Sequence, residues 1–321
     1  MYEGKWRVFC TWCSDNDLRP LELTKPQLAD FLIWLFSEKN LAPITIKGYR
    51  SMIADTLRHH GRDDIGRDKD ISDLLANFER NRPRTSTLFP QWDLTITLRL
   101  LANRPYEPLE TAPIRELTLK TCFLTALATA CRVSEIHALA RDADHLQIRN
   151  DGSIHLLTQA GFIAKNRLPS LGNQEVTIKP LPRDEPDTRS LLDPVRALLC
   201  YLRRTRDRPN PQSRLFLPIA RHKQHITVQT ISSWLKRVIR EAYAAEAEVL
   251  ANQPRAHEVR AIATSLAFTR NVAIKDVIDA VGWRSQSTFG AFYLRDCNTW
   301  RQDVDALGAI TAAQHVTRPP R

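Results

Sequence analysis

The stretch LTLKTCFLTALATACRVSE, Leu117 to Glu135, followed by HLQIRNDGSIHLLTQ, His145 to Gln159, decides the architecture of this chain. Its first half is apolar over a helical length, up to Ala130, and then meets Arg132, a residue that a core accepts only when it is paired. A short helix follows from Glu135. Beyond it the period changes from that of a helix to alternation around Asn150-Asp151-Gly152, which is a hairpin signal. EVTIKPL, Glu175 to Leu181, reads as a third strand. The connection before that strand, AGFIAKNRLPSLGNQ, is long and carries Lys165.

Helical patterns surround this small sheet. LTKPQLADFLIWLFSEKN has Thr24 as a cap, Pro26 in the first turn, and Leu28, Phe31, Leu32 and Leu35 at helical spacing. APITIKGYRSMIADTLRHHG repeats the logic, with Ile46, Tyr49, Ile53 and Leu57 on one face and Gly61 as a stop. ISDLLANFER supplies a further helix. The chain begins inside the amphipathic pattern of its first helix, so an extension before residue 1 is expected. NRPRTSTLFPQWD, Asn81 to Asp93, has no apolar period and marks a linker. The expected organisation is a helical domain over 1–83, a linker over 84–92 and a second domain over 93–321. Within the second, a helix is expected over Leu94 to Ala102, and from Asp193 the chain is expected to be helical to about Val316. The fold class is mainly α with a small antiparallel β-sheet.

The composition, 43% hydrophobic with ten glycines in 321 residues, fits a globular and mostly helical protein. No run of about 18 uncharged apolar residues is present, and the start lacks a signal-peptide pattern, so an intracellular address without membrane attachment is expected. The six cysteines read as reduced thiols. Cys10 and Cys13 form a CxxC, but inside a Trp-rich helical pattern and without a second ligand pair, so they read as core residues and no metal is expected. The net charge is +10. Between Arg196 and Arg240 there are eleven basic residues and one acid, Asp207, whereas the first 84 residues hold fourteen basic and thirteen acidic ones. A one-sided cluster of this density points to a phosphate backbone, with Arg203, Arg204, Arg221, Lys223, Lys236 and Arg237 as candidate DNA contacts.

Four short motifs could carry chemistry. ACRVSE places Arg132 beside Glu135. HEVR places His257 and Arg260 at i and i+3, on one helical face and at the buried end of an apolar helix. Gly282 and Trp283 follow an amphipathic run. STFGAFYLRD, Ser287 to Asp296, holds Tyr293 with Phe289 and Phe292 at i, i+3 and i+4, which by itself is the pattern of an aromatic core stripe. Together the four acquire a different meaning. Two guanidinium forks, an imidazole and an indole N–H can cradle one phosphate. A tyrosine hydroxyl beside them has an attacker's reach, because phosphoryl transfer asks mainly for positioning and charge stabilisation.

In this combination and order the sequence resembles the tyrosine recombinases, or phage integrases. Their Arg-x-x-Glu, hairpin Lys, His-x-x-Arg, His or Trp, and Tyr match Arg132 and Glu135, Lys165, His257 and Arg260, Trp283, and Tyr293. FIAKN, RAIATSLAF, GWRSQSTF and FYLRD are most similar to recombinases of DIRS-type eukaryotic retrotransposons. The resemblance implies a helical core-binding domain followed by an α+β catalytic domain, forming a clamp on double-stranded DNA. It implies attack by Tyr293 to give a 3′-phosphotyrosyl link, with Lys165 protonating the leaving 5′-oxygen and no metal or cofactor. It also implies four protomers on two DNA sites, with TWRQDVDALGAITAAQHV able to dock on a neighbour, and a nuclear address if the source is a eukaryotic mobile element. Most members have His at the position of Trp283, and Tyr293 lies one residue further on than in some relatives. Lys179, on the third strand, is the alternative to Lys165. A type IB topoisomerase and a DNA-binding protein that has lost catalysis are the rival readings.

Overall fold

The computed structural model describes residues 3–62, 65–83, 91–164, 175–181, 188–220, 225–250, 252–269, 273–275 and 293–294. The chain divides into two compact units, Met1–Thr85 and Ser86–Arg321. Among the described residues no helix is long and apolar enough to cross a membrane.

The first unit is built from four helices, α1 (Glu3–Asp15), α2 (Lys25–Ser37), α3 (Pro43–His59) and α4 (Lys69–Asn81). α2 opens on a capping box in which the Gln27 side chain accepts from the Thr24 N–H at 2.9 Å. Phe9, Phe31, Leu32, Ile46, Met52, Ile53 and Leu75 fill the core. Phe31 meets Phe9 edge to face at 5.0 Å. Arg82, just past α4, donates to the carbonyls of Phe36, in the last turn of α2, and of Leu41, in the connection to α3. Cys13 lies in this core, and burial pushes its thiol up to about 11, well away from reactivity.

The second unit is organised around α6 (Ile114–Thr129), which is buried on every side from Glu116 to Ala128. α5 (Leu94–Leu101), capped by the Asp93 carboxylate, precedes it; α7 (Val133–Ala138) follows. Strands β1 (Leu146–Ile148), β2 (Ile154–Leu157) and β3 (Glu175–Ile178) form an antiparallel sheet in that order. Ile154 lies opposite Ile178 and Leu156 opposite Val176, giving one buried apolar face against α6. The hairpin turn at Asn150-Asp151-Gly152 is held by the Asp151 carboxylate, which accepts from the N–H and hydroxyl of Ser153, while Gly152 takes φ 79.

Helices α8 (Thr188–Leu191), α9 (Pro194–Arg204), α10 (Val228–Ala245) and α11 (Ala256–Thr269) complete the unit, and α9, α10 and α11 all pack on α6. The expectation of continuous helix beyond Asp193 is corrected here. Residues 205–220 are non-helical, and Arg214 bridges to Ala140 beside the sheet. Pro209, Pro211 and Pro218 explain the break, since each lacks an N–H and crowds a preceding turn.

One charge sits where the sequence promised only apolar packing. Lys120, in the middle of α6, is fully buried, with Nζ donating to the Leu101 carbonyl at 2.6 Å and to the Glu107 carboxylate. Arg196 on α9 donates to both oxygens of the same carboxylate, at 2.8 and 3.0 Å. Burial pulls the Lys120 ammonium down to about 8, because one carboxylate shared with Arg196 does not offset complete desolvation. Burial alone would raise the Glu107 carboxyl, but the donors from Arg196 and Lys120 hold it below its usual value.

Two outcomes follow for stability. Glu107→Ala leaves Lys120 buried without its counter-ion and should cost about 3–5 kcal/mol in denaturant unfolding, whereas Lys120→Met should cost far less, since Glu107 keeps Arg196. The folded pKa of Lys120 lies below the unfolded value, so the unfolded chain binds the extra proton between pH 8 and about 10.5. In that window wild type should gain stability relative to Lys120→Met as pH rises; parallel curves for the two would contradict the buried-charge account.

Candidate phosphate-binding and nucleophile site

The site begins where α6 ends. Ala130 closes the helix at φ 48, a left-handed conformation that costs a non-glycine residue of order 1 kcal/mol and turns the chain sharply. That turn delivers Arg132 to the N-cap of α7. The carboxylate of Glu135, in the first turn of α7, accepts the Arg132 backbone N–H at 2.6 Å and, through its other oxygen, Arg132 Nη1 at 2.6 Å. Arg132 is thereby held by both its backbone and its guanidinium.

The same carboxylate reaches a second arginine. Arg260, on α11, places Nη1 3.4 Å from Glu135 Oε2. Its side chain is 3% exposed and that of Glu135 2%, while Arg132 retains 20%. Burial lowers the Arg260 guanidinium from its usual value, and the charge of Arg132 adds to that, against the opposing pull of Glu135. Two guanidiniums thus meet one carboxylate, and Arg132 is the more exposed of the two. The planar fork of an arginine matches the geometry of phosphate oxygens.

Tyr293 comes to this cluster from the far end of the chain. It lies in a turn, half-buried against the core of the second unit, with the Arg260 guanidinium 5.6 Å from its ring centroid. The Ser265 hydroxyl donates to its carbonyl at 3.0 Å. Phe289 and Phe292, the rest of the aromatic stripe, lie outside the described residues, as do Lys165, Trp283, Arg221, Lys223 and the C-terminal segment. Cys131, between the end of α6 and Arg132, does not compete as a nucleophile, because burial, reinforced by Glu135, pushes its thiol up to about 12.

His257 shares its helix with Arg260 but not its burial. The expectation that both sit at the buried end needs correction: His257 is exposed in the first turn of α11, three residues before the buried Arg260. Both residues between them, Glu258 and Val259, are buried. The Glu258 carboxylate accepts the Trp92 indole N–H at 3.2 Å and the Arg255 backbone N–H at 3.3 Å, which anchors the start of α11.

Two further placements bear on the sequence expectations. The strand β2 leaves the sheet at the end bonded to α7, through Gln159 N–H to the Ala138 carbonyl, and the chain proceeds from there toward position 165. Lys179 follows β3 at the opposite end, near Asp151, whose carboxyl is held below its usual value chiefly by the hydrogen bonds from Ser153, with the Lys179 charge adding to them. Among the candidate DNA contacts, Arg203 is 68% exposed and 3.9 Å from Glu110. Arg204 donates to the carbonyls of Leu109 and Ala112 at 2.6 and 2.7 Å, so its fork secures a loop. Lys236 is half-buried, and Arg237 is exposed on α10, 3.9 Å from Glu241.

Ser265, Glu258 and Trp92 escaped the sequence reading. A serine within an apolar helical face was the only signal for the first, and no spacing could have linked Trp92 to a residue 166 positions away.

If Glu135 holds the cluster, Glu135→Ala should lower the unfolding free energy by about 3–5 kcal/mol, because Arg260 is left buried beside another cation. Glu135→Gln keeps an acceptor for the Arg132 N–H and should fall between that variant and wild type. A loss in Glu135→Ala below about 1 kcal/mol by urea unfolding would assign the arginines another support.

No protein-family model and no curated protein sequence matches the chain. Solved structures do match in fold. The Tn1549 transposon integrase in complex with circular intermediate DNA superposes with a TM-score of 0.54 at 13% identity, over 85% of this chain and 81% of that one. A lambda integrase dimer bound to a COC′ core site gives 0.51 at 14%, covering 94% and 90%. The XerH site-specific recombinase bound to palindromic difH substrate, in a post-cleavage complex, gives 0.53 at 13%, covering 92% and 74%. The mainly helical chain with its small antiparallel sheet therefore shares the fold of the tyrosine recombinases.

Proposed function

We propose that this protein is a site-specific DNA recombinase that cuts and rejoins strands through a phosphotyrosyl intermediate. The observation that carries the reading is the meeting of Arg132 and Arg260 at Glu135, with the Tyr293 ring beside the Arg260 guanidinium. In the first step the Tyr293 hydroxyl oxygen attacks the scissile phosphorus and the bond from phosphorus to the 5′-oxygen breaks. A 3′-phosphotyrosyl link and a free 5′-hydroxyl result, with the tyrosine proton passing to a nearby base and Lys165 supplying a proton to the leaving oxygen. A 5′-hydroxyl from the partner strand then attacks the same phosphorus and releases Tyr293. Arg132 and Arg260 stabilise charge on the two non-bridging oxygens, with His257 and the Trp283 N–H as further donors. Glu135 orients both arginines and does not touch the phosphate.

The partner is double-stranded DNA, bound by the helical domain and by the basic residues of the catalytic domain, in a tetramer on two sites. The similarity of FIAKN, RAIATSLAF, GWRSQSTF and FYLRD to DIRS-type recombinases supports a role in a mobile element, and a eukaryotic source for that element would place the protein in the nucleus.

The test uses duplex oligonucleotides with one 5′-bridging phosphorothiolate between randomised flanks, whose 5′-thiol product does not reverse the first step. Wild type should form a detergent-resistant protein–DNA adduct, Tyr293→Phe none, and Arg132→Ala or Arg260→Ala about 10²- to 10³-fold less. An adduct that persists in Tyr293→Phe, or a wild type that traps no duplex from the pool, would sink the reading.

DNA affinity should also fall steeply with salt, since each phosphate contact releases counterions. Arg203→Ala and Arg237→Ala should each flatten the slope of log K against log salt by about 1 in a fluorescence-anisotropy titration. Unchanged slopes would place the DNA elsewhere.

A further inference from the structure

We infer that Ser265 is a positioning residue for Tyr293, and that α11 therefore holds the proposed nucleophile at two points; this rests on the recombinase reading only for the chemistry that Tyr293 performs. Ser265 is fully buried in α11. Its hydroxyl donates to the Ala261 carbonyl at 2.7 Å and shares that proton with the Tyr293 carbonyl at 3.0 Å. The first bond is the ordinary i to i−4 habit of a helical serine, which by itself satisfies the hydroxyl. The second is not local, because Tyr293 lies 28 residues away in a turn.

The two contacts fix a direction. The backbone of Tyr293 is bonded at Ser265, while its ring lies beside Arg260, five residues or about 7.5 Å of helical rise nearer the start of α11. The tyrosine side chain thus runs back along the helix toward the end that carries His257. Moving the backbone anchor would shift the phenol oxygen at the far end of the side chain. Attack on phosphorus is sensitive to such shifts, since misplacement by about 1 Å can cost about 100-fold in rate.

Removing the hydroxyl should therefore slow chemistry without loosening DNA. With the phosphorothiolate duplex pool at saturating protein, Ser265→Ala should trap covalent adduct about 10- to 100-fold more slowly than wild type, while its DNA affinity and melting midpoint stay close to wild type. Ser265→Thr keeps the hydroxyl and should restore the rate. A second measurement does not need chemistry: 3-fluorotyrosine incorporated at position 293 should give one ¹⁹F resonance in wild type and in Ser265→Thr, and a broadened or split one in Ser265→Ala. If wild type traps nothing but the fluorine signal changes as described, the recombinase reading fails and the positioning role stands. A trapping rate in Ser265→Ala within twofold of wild type, an unchanged fluorine resonance, or a rate loss that tracks a fall in melting midpoint and is not restored by threonine would each overturn the positioning role.

Discussion

The buried carboxylate of Glu135 is the constraint on which the rest of the site depends. A guanidinium as enclosed as that of Arg260 is tolerated only when it is paired, and Glu135 meets it from another element. Glu135 supplies it from α7 while also capping that helix through the Arg132 N–H. One side chain thus sets the turn after α6, the orientation of Arg132 and the approach of α11. The left-handed Ala130 belongs to the same arrangement, since without that turn the α6 helix would run on and carry position 132 elsewhere.

The same rule operates twice in the second unit, with different results. In the interior, Glu107 sits between Lys120 and Arg196 and takes contacts from both, closing a network that stiffens α6 against α9. At the end of α6, Glu135 sits between two arginines in the same way. Exposure does not tell the two networks apart, since Arg196 is 32% exposed and Arg132 20%. What distinguishes the second is its neighbour, the Tyr293 ring beside the Arg260 guanidinium.

Much of this was legible in the residues themselves. The capping box at Thr24, the stripe of Ile46, Tyr49, Ile53 and Leu57, the hairpin around Gly152 and the third strand at Glu175 are local matters, fixed by spacing and turn chemistry. Arg132, Glu135 and Arg260 were legible too, because an arginine beside an apolar run needs a partner and few were on offer. The non-helical stretch over 205–220 was less so: its prolines were visible, but the bridge from Arg214 to the sheet is a long-range pairing that no local pattern announces.

Sequence alone determined which residue types could meet a phosphate and in what order they occur, since charge, hydrogen-bonding capacity and helical period are properties of the residues and their spacing. Tertiary structure decided the distances and the burial. It brought Glu135 within reach of an arginine 125 residues away, turned Glu258 inward and left His257 exposed, and put the Ser265 hydroxyl on the Tyr293 carbonyl. Those outcomes depend on how α7 and α11 pack against α6. That packing is settled by the volume and shape of whole faces, and no single motif encodes it.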